Sequence, residues 1–277
     1  MSGQKALEWV QALTTRFEDQ LPVRKGPLNS QTRLLIEQTK SCLVNVSKHR
    51  FMMVVSGLIK CLQSVNSMRT CSENDLFESQ CIILDSLEQC LASQPKETGR
   101  LDEAANVKLI LNEICQFLQL PSDHPQAVQL KEHASKVLYG LSMSNLNAVL
   151  ARISARLKSL SAETGPEAGT SDLGDLELVQ HIHMDLPSLT KLLTEIAQHK
   201  PFRKDNNCVL IMSLEKAIWN WMDSYPHQFS ELQERQNDEL SECCDRLFEQ
   251  LESLATESSK RKPNIWPLQM MLLILCP

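Results

Sequence analysis

Glycine is scarce in this chain, with eight in 277 residues, and aromatics make up only 5%, including just two tyrosines. Strand-rich folds depend on glycine turns and on aromatic strand residues, so the shortage argues against a β-sandwich or barrel. No Gly-x-Gly-x-x-Gly, Gly-x-x-x-x-Gly-Lys-Ser/Thr or Gly-x-Ser-x-Gly string occurs. Their absence removes the nucleotide-binding loops and the nucleophile elbow. Cys-x-x-Cys and His-Glu-x-x-His are missing as well. There is no apolar run of the roughly 20 residues that a membrane span requires. Met1 to Gln11 lacks the apolar centre of a signal peptide, and Gly does not follow Met1 directly, which excludes myristoylation. Positive charge is not in excess: the net charge is −6, so nucleic acid is a poor partner for the surface.

What is present is ordinary globular material, 42% hydrophobic and 22% charged. The length allows one large or two smaller domains at roughly 150 residues each. Ten cysteines occur, but Cys42, Cys61, Cys71, Cys81, Cys90, Cys115 and Cys208 are scattered among apolar helical positions. Cys243 and Cys244 are adjacent and point to different sides of a helix. This pattern fits reduced, buried thiols in a cytoplasmic protein rather than a disulfide framework.

Helical periodicity dominates. Phe77, Cys81, Leu84, Leu87 and Leu91 recur at spacings of three and four and share one face. Ser72 followed by Asp75 is an N-cap signal just before them. Leu146, Val149, Leu150, Ile153, Leu157 and Leu160 form a second stripe, with Arg152, Arg156 and Lys158 off it. Leu210, Ile211, Leu214, Ala217, Ile218 and Trp221 form a third. No alternation of period two is sustained, so the chain is predicted to be all-α. Of the stripe residues, Leu84, Leu87, Ile153, Leu157, Leu214 and Ile218 are predicted to be buried.

Punctuation at Pro22 to Pro27, Gln94 to Gly99, Pro121 to Pro125, Lys200-Pro201, Tyr225-Pro226 and Arg261 to Pro263 divides the chain into about a dozen helices. Ser161 to Asp175 is the loosest stretch, acidic and carrying three glycines. It reads as a loop or linker between helical repeats at 1–160 and further repeats at 176–277. Short polar breaks without strands leave a compact bundle or an α-solenoid. Tetratricopeptide and ankyrin patterns are missing, which leaves the degenerate HEAT or armadillo type. The apolar run from Ile265 to Cys276 favours the solenoid, since each layer there needs a neighbour to cover it. On that expectation the run is a helix whose packing partner lies beyond residue 277, and the chain is the front piece of a longer protein.

Candidate chemistry is sparse. His181 and His183, two apart on a helix, would diverge by about 200° and share a metal poorly. Trp221 falls on an apolar stripe and reads as core, whereas Trp219 is the more plausible contact residue. Lys260-Arg261-Lys262 resembles a minimal nuclear-import or phosphate-binding cluster, with a solvated loop as the plainer reading. Cys243-Cys244 before Asp245-Arg246 has no neighbouring base or resolving motif. No residue is assigned a catalytic, cofactor-binding or metal-binding role, and no cofactor is expected.

Several segments carry a resemblance. Glu8 to Ala12 running through Arg16 to Pro22, Val55 to Leu58, Ile82 to Leu91, Arg152 to Leu157, Ser213 to Trp221 and Trp266 to Gln269 closely resemble, in order, the opening of the neurofibromin family of Ras GTPase-activating proteins. The match is colinear from end to end, although no single piece is a functional motif. The resemblance implies a protein that negatively regulates Ras signalling by accelerating GTP hydrolysis with an arginine finger supplied in trans. In that family the catalytic domain lies far downstream. Its Phe-Leu-Arg string does not occur here, the nearest being Phe117-Leu118-Gln119. The family's N-terminal region is a HEAT or armadillo α-solenoid with a scaffolding and self-association role. The expected reading is therefore a non-catalytic scaffold segment, with Ras engaged through a domain outside this chain. A self-contained helical adaptor is the alternative.

Overall fold

The computed structural model describes residues 3–94, 104–120, 124–162, 174–199, 207–235, 237–256 and 264–276. Among them every regular element is helical and no strand occurs, as the apolar spacing predicts. In chain order the elements are α1 (Gly3–Glu18), α2 (Pro22–Lys25), α3 (Ser30–Ser67), α4 (Glu73–Ala92), α5 (Ala104–Leu118) and α6 (Pro125–Ala162). There follow α7 (Gly174–Glu177), a 3₁₀ turn (Leu178–His181), α8 (Leu186–Gln198), α9 (Asn207–Ser224), α10 (Pro226–Glu234), α11 (Asp238–Thr256) and α12 (Trp266–Leu275).

Five of the chain's prolines sit in the first turn of a helix. Pro22, Pro125 and Pro226 are the first residues of α2, α6 and α10, and Pro187 and Pro267 are the second of α8 and α12. A proline there gives up an amide that would have no helical partner, and its φ already suits the helix. Polar caps do the rest. The Ser72 side chain accepts from the Asp75 amide at 3.1 Å while its hydroxyl donates to the Asp75 carboxylate at 2.7 Å. Asn29 caps α3 and Asp185 caps α8 in the same manner.

Two helices of 38 residues are each interrupted once. Arg50 in α3 (φ −139°, ψ 47°) and Asn145 in α6 (φ −134°, ψ 33°) leave helical geometry. The chain divides into two compact units at the second of these, Met1–Asn145 and Leu146–Pro277. The loop or linker expected from the sequence is at 161–175. There, Ser161 and Ala162 finish α6, 163–173 lie outside the described residues, and Gly174 begins α7. The Lys260-Arg261-Lys262 cluster also lies outside the described residues.

In the first unit α3 is the hub, packing against α1, α4 and α5. Gly57 permits the close approach of α1: a Cβ built there would lie 2.6 Å from Thr14 Cγ2. Across the α3–α4 contact, the buried Lys40 ammonium reaches Asp85 at 2.7 Å as well as Glu37 on its own helix at 2.9 Å. Burial opposes that charge, but the two carboxylates outweigh it and hold the Lys40 pKa above its ordinary value.

In the second unit α9 contacts the 3₁₀ turn, α7, α8, α10 and α12, while α11 packs on α8 and α12. All six residues predicted to be buried are buried. The α9 stripe from Leu210 to Trp221 holds throughout, and so does the α6 stripe at Val149, Leu150, Ile153 and Leu157, with Leu146 half-buried. The α4 stripe needs a correction. Phe77 and Cys81 are only half-buried, whereas Ser79, Ile83, Ser86 and Cys90 are fully covered. The buried face is rotated toward the serines. Ser79 and Ser86 satisfy their hydroxyls on carbonyls four residues back, at 2.6 and 2.7 Å, so they are buried without an unmet donor.

Candidate functional site

The second unit gathers most of the residues singled out in the sequence. Trp221 is 1% exposed and its indole donates to Gln228 Oε1 at 3.2 Å, confirming it as core. The same oxygen accepts from the Leu186 amide at 2.9 Å, so one glutamine ties α9 and α10 to the start of α8. Phe229 meets the Trp221 ring edge-on at 6.1 Å.

Trp219 points elsewhere and is 58% exposed. With Met212, Lys216 and Asp223, all exposed, it makes an outward stripe on α9 at helical spacing. The exposure expected of Trp219 and the burial expected of Trp221 are both seen.

The histidine pair is not helical in the way expected. His181 closes the 3₁₀ turn and Ile182 is extended (ψ 137°), so the two rings are separated by a change of backbone. The His183 ring shares a hydrogen bond of 2.8 Å with the Tyr225 hydroxyl, which ties it into the fold. Among the described residues no group of three His, Cys, Asp or Glu is placed to hold a metal ion.

The last helix departs from expectation. The apolar run at 265–276 is expected to lie bare. Instead Leu268, Leu272 and Leu275 are buried, and α12 packs against α9 and α11. Gln233 also donates to the Ile274 carbonyl at 2.8 Å. Only the opposite side is open, at Trp266, Met270 and Leu273. A run of apolar residues around a whole helix hides which third of it is covered.

One polar constellation has the composition of a hydrolase site. Ser154 Oγ lies 3.4 Å from His199 Nε2, and Glu195 Oε1 lies 3.5 Å from that same nitrogen. A nucleophile relay needs the hydroxyl and the carboxylate on opposite nitrogens of the ring, so that one end takes the proton while the other is steadied. Here both face Nε2. The Ser154 hydroxyl, and after it His199, hold the Glu195 carboxyl below its ordinary value against the effect of burial. The arrangement stabilises a carboxylate, binding α6 to α8.

The cysteines behave mostly as small hydrophobes. No disulfide joins the described ones, and burial pushes the Cys61 and Cys81 thiols up to about 12 and Cys90 to about 11. The exception is a pair the sequence does not reveal: Cys243 Sγ on α11 donates to the Leu240 carbonyl at 3.1 Å, and Cys276 Sγ, just past α12, approaches the same oxygen at 4.0 Å. In the first unit a cleft of about 660 Å³ runs between α1 and α3, lined among others by Leu7, Thr14, Glu18, Met52, Met53 and Lys60. It is open and mixed in character, with no convergent set of polar groups to fix a ligand.

No known protein-family model matches this chain.

Proposed function

We propose that this chain is the amino-terminal helical-repeat segment of a neurofibromin-like Ras GTPase activator, serving as scaffold while a downstream domain carries catalysis. In this reading the full-length protein is cytoplasmic, self-associates and negatively regulates Ras signalling. The helices of both units are successive layers of a HEAT or armadillo α-solenoid. The observation that carries the reading is the colinear resemblance from Glu8 to Gln269. It is supported by a fold in which every described element is helical, and by the lack of a helix long and apolar enough to cross a membrane among the described residues.

The test is single-turnover GTP hydrolysis by Ras with and without saturating chain. The rate is expected to be unchanged. A tenfold acceleration, about 1.4 kcal/mol off the barrier, would overturn the scaffold role. Arg152 and Arg156, one turn apart on α6 and half-buried, would then be the first finger candidates to replace.

A second reading, a self-contained adaptor, is favoured by one feature, the exposed Trp219 beside Met212 on α9. Large aromatics on a surface are the usual anchors of protein contacts. If that reading holds, Trp219→Ala abolishes partner capture while leaving the helical content intact.

A further inference from the structure

The cleft between α1 and α3 is too open to enclose a small molecule, but its two walls give it a direction. Thr14 meets Gly57 at a point of close approach, and the Cys61 thiol reaches the Thr14 carbonyl at 3.6 Å. Further along, the Ser64 hydroxyl donates to Glu18 Oε1 at 2.8 Å. Residue numbers rise together along the two walls, so the helices run parallel. One end of the trough is apolar, at Leu7, Met52 and Met53. Its middle is floored by small side chains, Thr15 and Ser56 beside Gly57, and its other end is charged, at Glu18 and Lys60. We propose that this trough is the docking site for one amphipathic helix of a partner protein. The helix lies antiparallel to both walls, sets a carboxylate on Lys60 and drops apolar side chains between Leu7 and Met53.

The walls decide the shape of the occupant. Both are helices whose main-chain groups are paired along their own length, so the trough offers no strand edge to an extended peptide. An occupant has to satisfy its own backbone, and a helix does. Size agrees. Leu7 to Glu18 covers about 16.5 Å, or three turns, at 1.5 Å per residue. Three turns of helix about 10 Å across fill about 1,300 Å³. The trough holds about 660 Å³, so such a helix sits half in it, one face down and the other in solvent. The methionines suit this wall, because their unbranched side chains repack around whatever is set against them.

Charge selects the partner. Glu18 is already engaged, by Arg24 at 2.6 Å and Ser64 at 2.8 Å. Lys60 is exposed and forms no ion pair or hydrogen bond with the described residues. The one uncommitted charge on the trough is therefore positive. α1 ends at Glu18 and α3 at Ser67, so the negative dipole ends of both walls lie toward the Lys60 end. A docked helix is favoured with its N-terminus there, and an acid in its first turn suits both that N-terminus and Lys60. Ser56 and Met53 precede Lys60 by four and seven residues. The matching motif on an antiparallel partner is an acid followed by apolar residues four and seven positions later, all on one face.

The experiment uses the whole chain and a fluorescein-labelled helical peptide of about 18 residues, built on alanine and glutamine. Glutamate stands at its fourth position and leucine at its eighth and eleventh. Fluorescence anisotropy should show saturable binding. A second peptide with lysine at the fourth position should bind about fivefold more weakly, which is what a good exposed ion pair contributes. Lys60→Glu should reverse that order and leave the melting temperature unchanged, because the side chain lies in solvent. Leu7→Ala, at a site 42% exposed, should weaken both peptides alike. Trp219→Ala, on the exposed stripe of α9, should change neither. Equal binding of the two peptides to the unaltered chain would overturn the proposal, as would an order that Lys60→Glu fails to reverse. So would the absence of saturable binding by the glutamate peptide, or its loss in Trp219→Ala, which would put the helix on α9 instead.

Discussion

α11 and α12 pack against each other, yet they announce themselves in opposite ways. α11 is strongly amphipathic: Leu240, Cys243, Cys244, Leu247 and Leu251 are buried, and Glu242, Asp245 and Arg246 face out. α12 has apolar residues on every side and no charge at all. In α11 the polar residues say which face is covered. In α12 nothing in the sequence separates the buried Leu272 from the exposed Leu273. Amphipathicity is information as well as energy, and an all-apolar helix supplies the energy without the information.

The comparison breaks most easily at that adjacent pair. Leu272→Lys places an ammonium where the side chain is 1% exposed, with no acid assigned to receive it, and should cost about 4 kcal/mol in urea unfolding. Leu251→Ala, in the buried stripe of α11, should cost about 3 kcal/mol, through lost burial and the cavity left behind. Leu273→Lys, the same change one residue along, should stay within about 0.5 kcal/mol, because Leu273 is 52% exposed and a cation suits a helix C-terminus. Equal losses at 272 and 273 would show that α12 is packed on both sides or on neither. Trp219→Ala should be the mildest, with helicity and melting temperature unchanged, since more than half of that side chain is already in solvent.

How much was legible depended on whether local or distant packing decided the outcome. The α9 stripe and the Ser72 cap are properties of a few consecutive residues, and the sequence places both correctly. In α4 the stripe slips because Ser79 and Ser86 are counted as polar, although hydroxyls bonded back to their own helix pack as small apolar groups. Gly57 against Thr14 is invisible for a related reason: a glycine inside a helix carries no sign that another helix passes 2.6 Å from its missing Cβ. The breaks within α3 and α6 fall at Arg50 and Asn145, where no proline or glycine marks them. The approach of Cys276 to the Leu240 carbonyl depends on how α12 docks, which no local pattern encodes. The exposure of Trp219 was legible because the apolar stripe of α9 leaves that position on the far side.

The central claim, that these helices are the front of a neurofibromin-like Ras regulator, is tested most directly by sequencing the native transcript downstream of the Pro277 codon. The expected result is an open reading frame that continues through further helical repeats and reaches a Ras-GAP domain with its Phe-Leu-Arg string. A stop codon directly after Pro277 in the native transcript would contradict it and leave the self-contained adaptor standing.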